Sequence, residues 1–172
     1  TDKLARRVVE PGSDCLKRLS AEFSDEILNE DGSLNRAKLA EIAFSTPENV
    51  SHLNAITHPA ILALTKEAIE DAANNGHRMI VVDAPLLFEA EFDTICDDIV
   101  AVIASHEQRL QRIMQRDGIT AETAARRMAA QKEDSFYCRD GVIVLRNDGE
   151  IQELRRSAQI VLTSLLEKEN AL

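Results

Sequence analysis

Apolar positions along this chain follow two different periods, and the change from one to the other divides it. Leu4, Val8 and Val9 recur at helical spacing and predict a short helix ending before Pro11-Gly12. Ser13 is placed to cap a second helix carrying Leu16, Leu19, Phe23 and Ile27 on one face. After the Asp31-Gly32 turn, Ser33 is placed to cap a third, through Leu34, Ala37, Leu39, Ile42 and Phe44. Thr46-Pro47-Glu48 reads as another N-terminal cap, with proline at the first helical position. Leu53, Ile56 and His58-Pro59 then lead into a long helix from Ala60 to about Asn74, stopped by Gly76. Residues 13–75 are thus predicted to be almost entirely helical.

From Met79 the pattern changes. Met79, Ile80, Val81 and Val82 form the short continuous apolar run of a strand buried on both faces of a parallel sheet. It ends at Asp83, and Ala84-Pro85 stops any ladder there, because proline has no N–H and turns the preceding residue away from helical geometry. A carboxylate at the carboxyl end of a central strand is where open α/β sheets hold ligands. The alternative is an Asp83 that only caps the next turn. The loop Leu86-Leu87-Phe88-Glu89, with three large apolar side chains outside any amphipathic helix, favours the site. A second buried strand is predicted at Ile99–Ile103, and a third at Val142–Leu145. Between them, Ser105-His106-Glu107-Gln108 is a capping-box pattern in which Gln108 reaches back to the Ser105 N–H. The helix it opens ends at Asp117-Gly118. Another begins at Thr120 and runs through Gln131, and a last one from about Glu150 to Glu167. Alternation of strand and helix over residues 79–167 predicts an α/β fold with a parallel sheet.

At 172 residues, 44% hydrophobic and 29% charged, the chain is long enough to bury a proper core. A net charge of −10 argues against a general nucleic-acid surface, yet leaves room for local phosphate sites built from arginines and backbone N–H groups. No apolar run approaches the roughly 20 residues of a membrane span. Cys15, Cys96 and Cys138 match no zinc or redox spacing and fit a reduced cytosol, so a cytoplasmic location is expected and a structural metal is not. The chain opens at Thr1-Asp2-Lys3 without an initiator Met and reads as an internal stretch of a longer product.

Three arginines carry the clearest candidate chemistry. Arg109, Arg112 and Arg116, three and four residues apart, share one face of the helix after a strand. Guanidinium forks there suit phosphoryl oxygens, while the plainer alternative is a solvated basic face on an acidic protein. Arg126 and Arg127 form a second pair with the same two readings. His58 is either a substrate contact or a satisfied residue at a helix start. Asp2, with Arg6 four residues on, is in isolation only a helix ion pair.

The order of the motifs goes further. TDKLARRVVEPG, DGSLNR at Asp31–Arg36, LNAITHP at Leu53–Pro59, DAPLLFE at Asp83–Glu89 and QRLQRIMQRDG at Gln108–Gly118 together resemble the dephospho-CoA kinase family. RRMAAQ at Arg126–Gln131 and VIVLRNDG at Val142–Gly149 continue the resemblance, which covers nearly the whole chain. It implies a P-loop kinase fold with a parallel sheet flanked by helices, a helical CoA-substrate domain and a helical lid. It also implies ATP-dependent phosphorylation of the ribose 3′-hydroxyl of dephospho-CoA, the last step of coenzyme A synthesis. The core nucleotide-kinase domain would be residues 1–12 and 77–172, with the lid at about 112–135, and residues 13–76 would form the CoA domain.

By the same resemblance, Asp2 matches the acid expected to accept or orient the acceptor proton, and Arg6 an arginine beside the acceptor. Asp83 matches an acid reaching Mg²⁺ through water. Leu86, Leu87 and Glu89 would line the acceptor pocket, with His58 nearby. Arg112 matches the phosphate-bridging lid arginine with Arg116 behind it, and Arg127 lies in the following lid helix. Asn147 and Gly149 match the loop against the ATP adenine. Arg109 matches nothing in the family and is expected in solvent. The implied partners are dephospho-CoA, ATP and Mg²⁺, without nucleic acid or membrane, and no oligomeric state is implied. The family opens with a strand and a GxxxxGK[ST] loop that this chain lacks, so activity is expected of the parent protein rather than of the stretch alone. In that family the opening strand lies between those matching Met79–Asp83 and Ile99–Ile103. The rival readings are another small-molecule P-loop kinase and a non-catalytic module that has lost its P-loop.

Overall fold

A computed structural model describes residues 1–170 and divides into two compact units, Thr1–Cys96 and the part from Asp97 onward. The first unit is helical. Its helices are α1 (Asp2–Arg7), α2 (Asp14–Phe23), α3 (Arg36–Ala43) and α4 (Pro47–Asn74), with 3₁₀ turns at Asp25–Ile27 and Phe92–Ile95. Ser13 caps α2 by accepting the Leu16 N–H at 3.2 Å, as its place before an apolar stripe predicts. The stripe then meets α4. Val8, Val9, Cys15, Leu19, Phe23, Ile27, Leu39, Ala43 and Ile56 close one core, in which Leu19 and Ile27 are fully buried.

Several predicted boundaries move, each for a visible reason. Ile27 reaches the core from the 3₁₀ turn, because α2 stops at Phe23 and Ser24 adopts a left-handed φ of 74°. Ser33 does not cap α3. Its N–H and hydroxyl donate to the Asp31 carboxylate (2.9 and 2.6 Å), and a Leu28–Leu34 bridge keeps the chain extended until Asn35 caps the helix through the Lys38 N–H. Phe44, predicted on the apolar face, lies past the helix end and is 67% exposed. The predicted break at His58-Pro59 is absent, and α4 runs unbroken for 28 residues with Pro59 inside it. An interior proline costs a helix about 3 kcal/mol. Here Leu53 and Ile56 before it and Ile61 and Leu64 after it all pack on the same core, which holds both halves in line. The end of α4 is as predicted. Gly76 takes φ +81° while the Gly76 and His77 N–H groups return to Ala73 and Ala72, leaving both carbonyls satisfied.

Met79–Val82 is not a strand. The segment runs without a ladder partner among the described residues, and Val81 is 81% exposed. An apolar run becomes a strand only when a neighbour takes its N–H and C=O groups. Pro85–Glu91 forms overlapping turns, with Ala90 N–H to Leu86 C=O at 3.0 Å and Phe92 N–H to Leu87 C=O at 2.8 Å, anchored by buried Ala90 and Phe92.

The second unit is α/β. Strands β1 (Ile99–Ile103) and β2 (Val142–Arg146) pair in parallel, with Ile99 opposite Val142 and Ile103 opposite Arg146. Between them lie α5 (His106–Asp117), α6 (Ala121–Ala129) and the short, unpredicted α7 (Asp134–Tyr137). A final helix, α8 (Ile151–Asn170), packs on β2, and α5 packs on α6. Ile103, Ala104, Ala124 and Met128 are buried, whereas Val100 and Val102 on the other face of β1 are exposed, so β1 is covered on one side only. Gly118 ends α5 at φ +63° and Thr120 caps α6 through the Thr123 N–H, both as predicted.

Candidate active site

Within the first unit, α1 begins against the end of the 79–83 segment. The Thr1 hydroxyl donates to the Asp83 carbonyl at 3.1 Å. That tie sets Asp2 and Asp83 on one groove of about 450 Å³, lined also by Thr1, Lys3, Leu4 and Pro85. A narrower cleft of about 130 Å³ joins Asp2 to His58 and Leu86 over an apolar floor of Ala5, Ile61, Ala90 and Phe92. Four residues singled out from sequence, Asp2, His58, Asp83 and Leu86, therefore line two openings that share Thr1, Asp2 and Pro85. Arg6, Leu87 and Glu89 are in neither lining.

His58 sits mid-helix, so it caps nothing. Burial holds its imidazole below the ordinary histidine range, and the Glu89 carboxylate opposes that only in part. At neutral pH it is an uncharged ring, able to donate from one nitrogen and accept at the other. Ile61 was missed because it was read as part of a separate helix. Once α4 is continuous it lies one turn past His58 on the same face. Phe92 and Ala90 were missed because loop residues give no periodic signal.

In the second unit, Arg112 Nη2 donates to Asn147 Oδ1 at 3.5 Å, joining two of the predicted residues. The Asn147 N–H continues the parallel ladder to the Ile103 carbonyl at 2.8 Å. Asp148, not singled out beforehand, accepts the Ser105 N–H at the start of α5. The capping box is thus half formed: Ser105 Oγ takes the Gln108 N–H, but the return bond comes from Asp148 instead. Gly149 lies beside the flexible end of the Glu153 side chain, which an added Cβ would displace.

The arginine stripe splits three ways. Arg112 meets Asn147. Arg116 lays its fork on Asp117 (2.7 and 3.1 Å), and Arg127 reaches the same carboxylate at 2.7 Å from α6. The Arg116 fork, with Arg127 beside it, lowers the Asp117 pKa from the ordinary carboxylate value. Arg109 is not in solvent. It pairs with Asp134 at 3.2 Å, its Nε is buried, and it ties α5 to α7. The expectation failed because α7, which supplies the partner, has no signal in the sequence.

The family model for dephospho-CoA kinase matches residues 1–153. A dephospho-CoA kinase of Corynebacterium glutamicum is 36% identical over 169 residues, covering 98% of this chain and 84% of its own length. The crystal structure of TT1252 from Thermus thermophilus matches with a TM-score of 0.70 at 31% identity, over 95% of this chain and 82% of that one. A dephospho-CoA kinase structure from Campylobacter jejuni shares the fold at TM-score 0.67 and 24% identity, over 95% and 82% of the two chains. The chain belongs to the dephospho-CoA kinase family.

Proposed function

We propose that the protein transfers the γ-phosphate of ATP to the ribose 3′-hydroxyl of dephospho-CoA, completing coenzyme A. Family membership supports the reaction, and one observation carries it to residues: Asp2 and Asp83 share a groove that opens beside the apolar cleft of His58 and Leu86. Phosphoryl transfer asks a protein mainly to position its reactants and to neutralise charge on the equatorial oxygens. Asp2 orients the acceptor hydroxyl and takes its proton. Leu86, Ile61 and Phe92 give the acceptor an apolar wall, Leu87 and Glu89 shape the loop behind it, and Arg6 offers positive charge one turn beyond Asp2. His58 contributes a neutral hydrogen-bonding ring.

Mg²⁺ fits the donor set. It is a hard cation usually held by one or two carboxylates together with substrate phosphates and water. Asp83 supplies a hard carboxylate on the same groove as Asp2, which leaves Asp2 for the acceptor. Asp83 would hold the ion through water, and the ion would supply charge neutralisation on the phosphates. Arg112 bridges phosphoryl oxygens, Arg116 and Arg127 add charge from the lid at about 112–135, and Asn147 and Gly149 form the adenine loop. The functional division puts acceptor binding in residues 13–76 and nucleotide chemistry in 1–12 and 77–172. Among the described residues no helix is long and apolar enough to cross a membrane. With a net charge of −10, a cytoplasmic enzyme acting on small molecules, without nucleic-acid partners, fits best.

The test is Asp2→Asn in the full-length gene product. General-base help is worth roughly 10²-fold or more, so kcat should fall by about that factor while the KM for dephospho-CoA changes little. A near-normal kcat would remove Asp2 from the reaction.

A further inference from the structure

We infer that Asp148 is a positioning residue for nucleotide binding, a role that rests on reading Asn147 and Gly149 as the adenine loop. Three bonds fix that loop from three directions. The Asn147 N–H is held by the Ile103 carbonyl at the end of β1, and the Asn147 side chain by Arg112 from α5. The third bond, from the Ser105 N–H to the Asp148 carboxylate, joins positions 43 residues apart.

That third bond displaces a local one. Ser105-His106-Glu107-Gln108 should close on itself, with Gln108 serving the Ser105 N–H. The structure keeps the Ser105 half and gives the other donor to Asp148. A carboxylate at this point also faces the partial positive charge of the α5 N-terminus, which strengthens its hold. A cap that would otherwise serve only α5 thereby becomes a link between α5 and the loop after β2. The link holds the loop to the N-cap of α5, independently of the Arg112 side chain that meets Asn147 from further along the helix. Without it, residues 147–149 keep, among the described residues, the ladder bond and a long contact to Arg112. The loop must then be ordered when nucleotide binds, which weakens affinity for the nucleotide alone.

The experiment measures both substrates in Asp148→Ala and Asp148→Asn variants of the full-length gene product. In Asp148→Ala the KM for ATP should rise about 5- to 10-fold, the scale of one lost positioning bond. The KM for dephospho-CoA and kcat at saturating ATP should stay within about twofold of the parent. Asp148→Asn keeps an acceptor oxygen and should restore the ATP KM to within about twofold. Melting temperature should barely move, because Gln108 can take over the freed Ser105 N–H. If Asp148→Ala fails to fold, Asp148→Ser, whose hydroxyl is too short to span the gap, replaces it in the same comparison. An unchanged ATP KM in Asp148→Ala, alongside a raised one in Asn147→Ala, would overturn the positioning role and leave the adenine-loop reading standing. No change in either variant would remove that reading too. A parallel loss for both substrates, or no rescue by Asn, would reduce Asp148 to a structural contact.

Discussion

Arg109 and Arg112 stand one turn apart on the same helix and do different things. Arg112 reaches Asn147, and in the proposed reaction it bridges phosphoryl oxygens. Arg109 is committed to Asp134, with its Nε buried. The two therefore separate a chemical from a structural arginine. Arg112→Lys keeps the charge but loses the planar fork, and kcat should fall by at least about 10-fold. Arg109→Lys should leave kcat near normal and lower the melting temperature slightly, because a partly exposed ion pair is worth only about 0–1 kcal/mol. Parallel measurement of rate and melting checks both. Equal, small effects at the two positions would return the stripe to a basic surface. What the sequence showed at this scale was a residue type and a spacing. Which guanidinium had a partner depended on Asp134 and Asn147, 25 and 35 positions away, and no local pattern reports such distances.

At the scale of elements, the caps were the most readable feature because they are local. Ser13, Thr46, Ser105 and Thr120 stand where helix starts were predicted and each accepts a backbone N–H three residues on, since a short polar side chain before an apolar stripe has few other uses. Strands β1 and β2 were readable for the same reason. Failures came where a neighbour overrides the local signal. Pro59 looks like a helix start, but the core on both sides keeps α4 whole. Met79–Val82 looks like a strand, but a strand is a relation between two segments and this one has no ladder partner among the described residues. The helical core itself makes a sharp claim. Leu19 is fully buried where α2 meets α4, so Leu19→Ala should destabilise the fold by about 2–5 kcal/mol, the range for emptying a leucine site. Urea unfolding gives the value directly. A loss under about 1 kcal/mol would mean that the site collapses freely and the packing at Leu19 is loose.

At the scale of the whole molecule, composition said little and motif order said much. An acidic α/β chain with a few arginines fits many activities, and the candidate residues lie far apart in sequence: Asp2, His58, Asp83, Arg112 and Asn147. The fold gathers the first three onto two clefts that share Asp2 in one unit, and in the other it brings Arg112 of α5 to Asn147 of the loop after β2. Family membership joins these into a single reaction. The direct measurement is phosphoryl transfer by the full-length gene product, supplied with Mg-ATP and, in parallel, dephospho-CoA, adenosine and pantothenate, with the product's phosphate position read by NMR. Dephospho-CoA should turn over with phosphate on the ribose 3′-oxygen, and the other two acceptors little or not at all. Turnover of adenosine or pantothenate with dephospho-CoA left untouched would contradict the proposed reaction.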